Sequence, residues 1–172
     1  VGGPSDRKGR VMRVLVACEY SQVVCQAFRE LGHDAYSCDI LPTIGEEEYH
    51  YQCSVLDILE FDWDLMVAHP PCTYLSNSGA RWLYQDKEKT PDEERWRLMR
   101  EGAAFFQALL DAPIHRICIE NPIMHKHARA LLSKGWHQTI QPWQYGHGYT
   151  KRTCLWLKNL PTLEPTNIVD GR

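Results

Sequence analysis

Short apolar runs alternate along this chain with segments whose apolar residues recur every three or four positions, the pattern of strands alternating with helices. Residues 13–18 (RVLVAC) read as a first strand, a polar Glu-Tyr-Ser turn follows, and Val24, Ala27, Phe28 and Leu31 mark the stripe of a helix. Gly32 is placed to end that helix, and residues 33–38 lead as a second strand into Asp39. Further strands are predicted at 51–56, 64–68 and 115–119. Between the last two lies the strongest helix signal, over about 91–110, with Thr90 as N-cap, Pro91 at the first helical position and three acids in the first turn. Trp96, Met99, Ala103, Phe106 and Leu110 follow at spacings of three and four, so one face of it packs on a sheet. A shorter helix near 125–132 and strands at 138–141 and 153–157 complete the pattern.

Strands alternating with helices predict an α/β fold, a doubly wound and mostly parallel sheet with right-handed crossovers. No repeat, low-complexity stretch or linker interrupts the chain, so residues 12–172 are expected to form a single domain. Ligands of such sheets bind beyond the carboxyl ends of the strands. The polar punctuation falls there: Glu19, Tyr20 and Ser21 after the first strand, Asp39 after the second, His69 to Cys72 after the fourth, and Glu120, Asn121 and Pro122 after the fifth. Topology is therefore expected to gather these clusters on one rim.

The chain has 172 residues, 44% of them hydrophobic and 24% charged, which suits one globular core without a disulfide or metal staple. No apolar run is long enough to span a bilayer, and no membrane partner is expected. Residues 1–11 are rich in Gly and basic residues and read as a leader or expression scar, with Met12 the expected natural start. Seven scattered cysteines point to free thiols in a reducing, cytoplasmic setting. The net charge of -3 offers no general attraction for a polyanion, so a nucleic-acid contact has to come from a local patch.

The sharpest cluster is Ala68-His69-Pro70-Pro71-Cys72-Thr73, an apolar strand stopped by two prolines that then presents a thiol. A lone cysteine is most often a small buried hydrophobe, but a Pro-Pro stop at a strand end holds this one on a fixed turn. The second cluster, Ile119-Glu120-Asn121-Pro122, places an acid at another strand end. A pyrimidine is a poor electrophile at C6, and a thiolate adds there only if charge developing on the ring is relieved, for example by an acid at N3. Cys72 with Glu120 meets that need. His69 and Cys72 are three apart, yet no Cys-x-x-Cys pair or second half of a zinc site accompanies them, so no metal is expected.

Pro-Pro-Cys, a Ser-Asn-Ser-Gly loop at 76–79, Glu-Asn-Pro and a late Lys-Arg-Thr strand, in that order over residues 12–157, resemble the DNA cytosine-5 methyltransferases. The resemblance implies a Rossmann-like methyltransferase fold, S-adenosylmethionine as cofactor and methylation of cytosine at C5 in DNA, a free pyrimidine nucleotide being the alternative substrate. It implies Cys72 as nucleophile, Glu120 as the N3 partner beside Asn121, and Arg152 as the base-contacting arginine, with Thr150 where the family has glutamine. The cofactor would lie along Cys18, Glu19, Tyr20 and Ser21, which stand where the family has a glycine-rich loop, and along Asp39, Ile40, Pro70 and Pro71. The adenine-side polar residue maps to Ser54 or to Asp57. Ser76, Asn77, Ser78 and Arg81 form a loop suited to closing over a base, and Lys151 with Arg152 follows an aromatic stretch, 143–149, suited to stacking and phosphate contact.

The family's separate target-recognition domain has no counterpart in residues 158–172, so base-edge readout in a duplex lacks an obvious element. DNA or a pyrimidine nucleotide is the expected substrate, and either specificity is short and loose, the substrate is single-stranded DNA or a free nucleotide, or a partner protein or second copy supplies recognition. A cofactor- or nucleic-acid-binding subunit without turnover is the alternative from another class; retention of Cys72, Glu120 and Arg152 together argues against it.

Overall fold

The computed structural model describes residues 10–86 and 89–171, with backbone only for Ala80 and Arg81. Residues 1–9 of the expected leader lie outside the described residues, and Arg10 and Val11 are exposed. Among the described residues seven strands form one sheet: β1 (Arg13–Ala17), β2 (Asp34–Asp39), β3 (His50–Gln52), β4 (Leu65–Ala68), β5 (Arg116–Pro122), β6 (Gln138–Ile140) and β7 (Thr153–Lys158), in the order β3-β2-β1-β4-β5-β7-β6. The first five run parallel, as expected, and β7 enters antiparallel between β5 and β6. Among the described residues, four α-helices accompany the sheet: α1 (Val23–Glu30), α2 (Asn77–Ala80), α3 (Glu93–Asp111) and α4 (Lys126–Arg129). Among the described residues no helix is long and apolar enough to cross a membrane.

The central strands are apolar on both faces because both faces are covered. On β1, Val14 and Val16 pack with Cys25, Ala35 and Leu65 under α1, while Leu15 and Ala17 join the larger core under α3. That core centres on Phe106, whose ring lies 4.8 Å from the ring of Trp156 on β7. Met99, Ala103, Phe106 and Leu109 form the buried face of α3, with Leu110 half-buried beside it.

Several expected boundaries shift, each for a tertiary reason. The antiparallel partner β7 carries the ladder of β5 on to Pro122, pairing Glu120 with Leu155 and Asn121 with Cys154, so the acid sits inside the strand end and not after it. Asp92, and not Thr90, caps α3 by accepting from the Arg95 amide at 3.0 Å. Thr90 and Asp92 are tied to Gln85 and Leu83 by backbone hydrogen bonds, which holds the approach to the helix extended. α1 turns Val24, Cys25 and Phe28 inward and leaves Ala27 and Leu31 exposed, because Leu31 is its C-cap and Gly32 turns the chain away at φ 85°. The third strand is confined to His50–Gln52, since the Ser54 hydroxyl accepts from the Leu56 amide and winds Val55–Asp57 into a 3-10 turn. α4 is a single turn.

Candidate functional site

The turn bearing Cys72 is built by hydrogen bonds that the prolines leave available. The His69 amide donates to the Ala17 carbonyl at 3.0 Å, extending the β4 ladder one step before Pro70 and Pro71 end it. The Cys72 carbonyl then accepts from the Leu75 and Ser76 amides at 3.0 and 2.9 Å, closing a helical turn that leaves Cys72 half-exposed. Gly79 in α2 lies against this turn: a Cβ there would sit 2.5 Å from the Thr73 carbonyl oxygen.

The loop after β4 is interlocked with the end of β5. Asn121, 1% exposed, donates from Nδ2 to the Pro70 carbonyl at 2.9 Å. The Asn77 amide donates to Ile123, the His125 amide to Leu75, and the His125 ring to the Tyr74 carbonyl at 3.3 Å. Burial holds the His125 ring below the ordinary histidine range, which suits a neutral imidazole whose Nδ1 accepts from the Ala128 amide at 3.2 Å and caps α4. Two clusters some fifty residues apart in sequence thus share one rim.

Glu120 is half-buried on this rim, its Oε2 3.3 Å from Nδ1 of His69. Arg152 stands exposed one residue before β7, whose first residue pairs with Pro122. Burial raises the Cys154 thiol, against the smaller lowering effects of a Thr139 hydrogen bond and of Arg152 and with a smaller rise from Glu120. His69, which the sequence marks only as a rejected metal ligand, is the partner that sequence reasoning misses for Glu120. Among the described residues no three His, Cys, Asp or Glu side chains converge as a metal site.

A cleft of about 640 Å³ opens at the carboxyl ends of β1 and β2 and runs to Pro71 and Tyr74 beside the Cys72 turn. Of the expected cofactor residues, Cys18, Tyr20, Asp39, Ile40, Ser54 and Pro71 line it. The far wall comes from Leu98, Gly102 and Phe105 of α3, residues that helical periodicity alone assigns to no site. Asp39 uses Oδ1 to accept from the Leu41 amide at 2.9 Å. Burial, with Asp39 second, pushes the Cys18 thiol up to about 12, so that wall presents a neutral thiol. The first loop turns without glycine: Cys18 and Gln22 take φ 58° and 62°, a left-handed conformation that costs about 1–2 kcal/mol each.

Four expected cofactor residues lie elsewhere. Glu19 is buried beneath α1, its oxygens accepting from the Val24 and Cys25 amides at 2.8 and 3.1 Å, and Ser21 bonds to the same carboxylate. Both serve the helix N-terminus, where an acid meets free amides and a positive dipole end. Pro70 is buried with its carbonyl given to Asn121, and Asp57 is exposed on its 3-10 turn outside the cleft. Of the expected substrate loop, Ser76 is buried and bonded to Ser78 at 2.8 Å, which removes it from the surface, while Asn77, Ser78 and Lys151 are exposed. Arg81 opens the 3-10 turn Arg81–Leu83, and its side chain lies outside the described residues. A smaller cleft, about 340 Å³, opens at the opposite ends of the strands beside Met12, His33 and Arg116 and carries none of the expected residues.

No protein-family model and no curated protein matches this chain. Among solved structures it is similar to one described as a DNA modification methyltransferase encoded within an E. coli prophage, at 15% identity and TM-score 0.54, over 93% of this chain and 52% of that one. It is also similar to magnesium protoporphyrin IX methyltransferase from Synechocystis PCC 6803 with bound SAM, at 12% identity and TM-score 0.50, over 87% of this chain and 70% of that one. The chain spans about half the length of the first. The likeness establishes a Rossmann-like, mostly parallel α/β fold.

Proposed function

We propose that this chain transfers a methyl group from S-adenosylmethionine to C5 of cytosine in DNA, through a covalent bond between Cys72 Sγ and ring C6. The observation that carries the reading is the interlock that brings the Cys72 turn and the Glu120-Asn121 strand end onto one rim beside a nucleoside-sized cleft. The methyltransferases of similar fold, one with bound SAM and one described as modifying DNA, support the class of reaction.

The residues present suit the cofactor. Asp39 closes β2 where an acid accepts ribose hydroxyls in doubly wound folds, Tyr20, Ile40 and Ser54 offer a mixed wall for adenine, and Pro71 leads toward the thiol. S-adenosylmethionine, when bound, supplies an electrophilic methyl group. As Sγ of Cys72 bonds to C6, the C5=C6 pair shifts to C4=C5 and the C4=N3 pair moves onto N3, where Glu120 relieves it with a proton or hydrogen bond. C5 then takes the methyl as C4=N3 re-forms, with S-adenosylhomocysteine as the leaving group and any N3 proton returned to Glu120; a base removes the C5 proton as the Sγ–C6 bond breaks, which restores C5=C6 and the thiolate. In this reading Arg152 holds the base from the β7 side, and Asn77, Ser78 and Lys151, all exposed, meet phosphate.

Labelled S-adenosylmethionine incubated with a 5-fluorocytosine oligonucleotide tests this, because C5 then has no proton to lose and the adduct persists. A label that stays with the protein through denaturation, and is absent in Cys72→Ser, is expected. Adduct on 5-fluoro-dCMP alone would move the substrate to free nucleotides, and binding without adduct on either would make the chain a binding subunit.

A further inference from the structure

We propose that His69 is a positioning residue for Glu120, donating from Nδ1 to Oε2 so that the other carboxyl oxygen, Oε1, carries the proton that ring N3 receives; this rests on the reading of Glu120 above. The sheet register makes the contact systematic. Ala68 pairs with Ile119 in the parallel β4–β5 ladder, and one step further along the same ladder brings His69 beside Glu120. The His69 amide is committed to the Ala17 carbonyl and Pro70 follows at once, so the backbone of His69 is held on both sides.

The tautomer follows from what surrounds the ring. Nδ1 lies 3.3 Å from Glu120 Oε2, whereas Nε2 is buried with no hydrogen-bond partner. A proton on Nε2 would be an unsatisfied buried donor, at a cost of about 1–3 kcal/mol, and an imidazolium would carry that same unsatisfied donor. The neutral ring with its proton on Nδ1 avoids this and meets an acceptor directly. Left alone, the last torsion of a glutamate is broad and nearly two-fold, so either oxygen would present itself. With Oε2 accepting from His69, a carboxyl proton belongs on Oε1. That proton passes to N3 as Sγ bonds to C6, and the carboxylate left behind is stabilised by the Nδ1–H donor already in place.

Two measurements on the intact protein test this. The first is the ¹⁵N shifts of the His69 ring, which read the tautomer without any turnover: protonated Nδ1 and bare Nε2 are expected, with the preference relaxed in Glu120→Ala. A ring protonated on Nε2 overturns the proposal. The second uses His69→Asn, whose amide nitrogen stands near the place of Nδ1, and His69→Leu, which fills the space without a donor. In the adduct assay, the leucine variant is expected to lose about 10²-fold in rate, the scale of one proton-transfer contribution, with S-adenosylmethionine affinity unchanged. The asparagine variant should recover most of it. A merely space-filling role would favour leucine over asparagine, and that order overturns the proposal, as does equal loss in both. If the ¹⁵N shifts are as expected but the wild type forms no adduct on any pyrimidine, the hydrogen bond stands while the methylation reading, and with it the role assigned to His69 toward N3, falls.

Discussion

Replacing Gly79 by alanine adds one methyl group at the point where α2 rests on the turn that carries Cys72. The new Cβ would lie 2.5 Å from the Thr73 carbonyl oxygen and 3.6 Å from its carbon, against backbone that cannot rotate aside. Even to reach 3.0 Å, the turn or the helix must retreat by about 0.5 Å, and forced repacking of this kind costs about 1–3 kcal/mol. Thr73 adjoins Cys72, so the shift reaches the thiol. Misplacement by 1 Å costs on the order of 10²-fold in rate, which makes about 10-fold the expected loss here, equivalent to about 1.4 kcal/mol of barrier. Urea unfolding and the rate of adduct formation on a 5-fluorocytosine oligonucleotide read the two effects separately. Gly135→Ala is the control, since a Cβ there meets nothing within 4 Å. A Gly79→Ala protein with the wild-type urea midpoint and adduct rate would refute the claim that this contact sets the turn.

Glu19→Ala removes the acceptor of the Val24 and Cys25 amides and is expected to cost about 0.5–2 kcal/mol in thermal unfolding while leaving S-adenosylmethionine affinity in calorimetry unchanged; loss of affinity with normal stability would return Glu19 to the cleft. Because burial holds His125 below its ordinary value, the unfolded chain takes up that proton first. The stability it contributes is full above the ordinary histidine range and lost as pH falls through it. Denaturation between pH 8 and 5 should therefore show a decline that His125→Asn reduces, and an unchanged slope in the variant would count against it. Burial pushes the Cys18 thiol up to about 12 and those of Cys25 and Cys118 to about 11, so peptide mass spectrometry after brief iodoacetamide treatment at pH 8 should find them labelled more slowly than half-exposed Cys72. Equal labelling of Cys18 and Cys72 would contradict this.

The alternation of apolar runs with helical stripes, read along the chain alone, determined an α/β sheet with polar clusters at the carboxyl ends of its strands, because side-chain period and turn chemistry are local properties. Local pattern has no means of choosing between chemically equal candidates or of seeing a partner strand. Thr90 and Asp92 are both good helix caps, and pairing of the approach with 83–85 gave the role to Asp92. Glu19 and Asp39 are both acids at strand ends; the free amides of α1 drew one inward, while the other lines the cleft. The antiparallel entry of β7 lengthened β5 and set Arg152 at its end, and the wall contributed by α3 closed the cleft. The bond between His69 and Glu120 joins residues 51 apart, and it exists only because the β4–β5 register lays one beside the other.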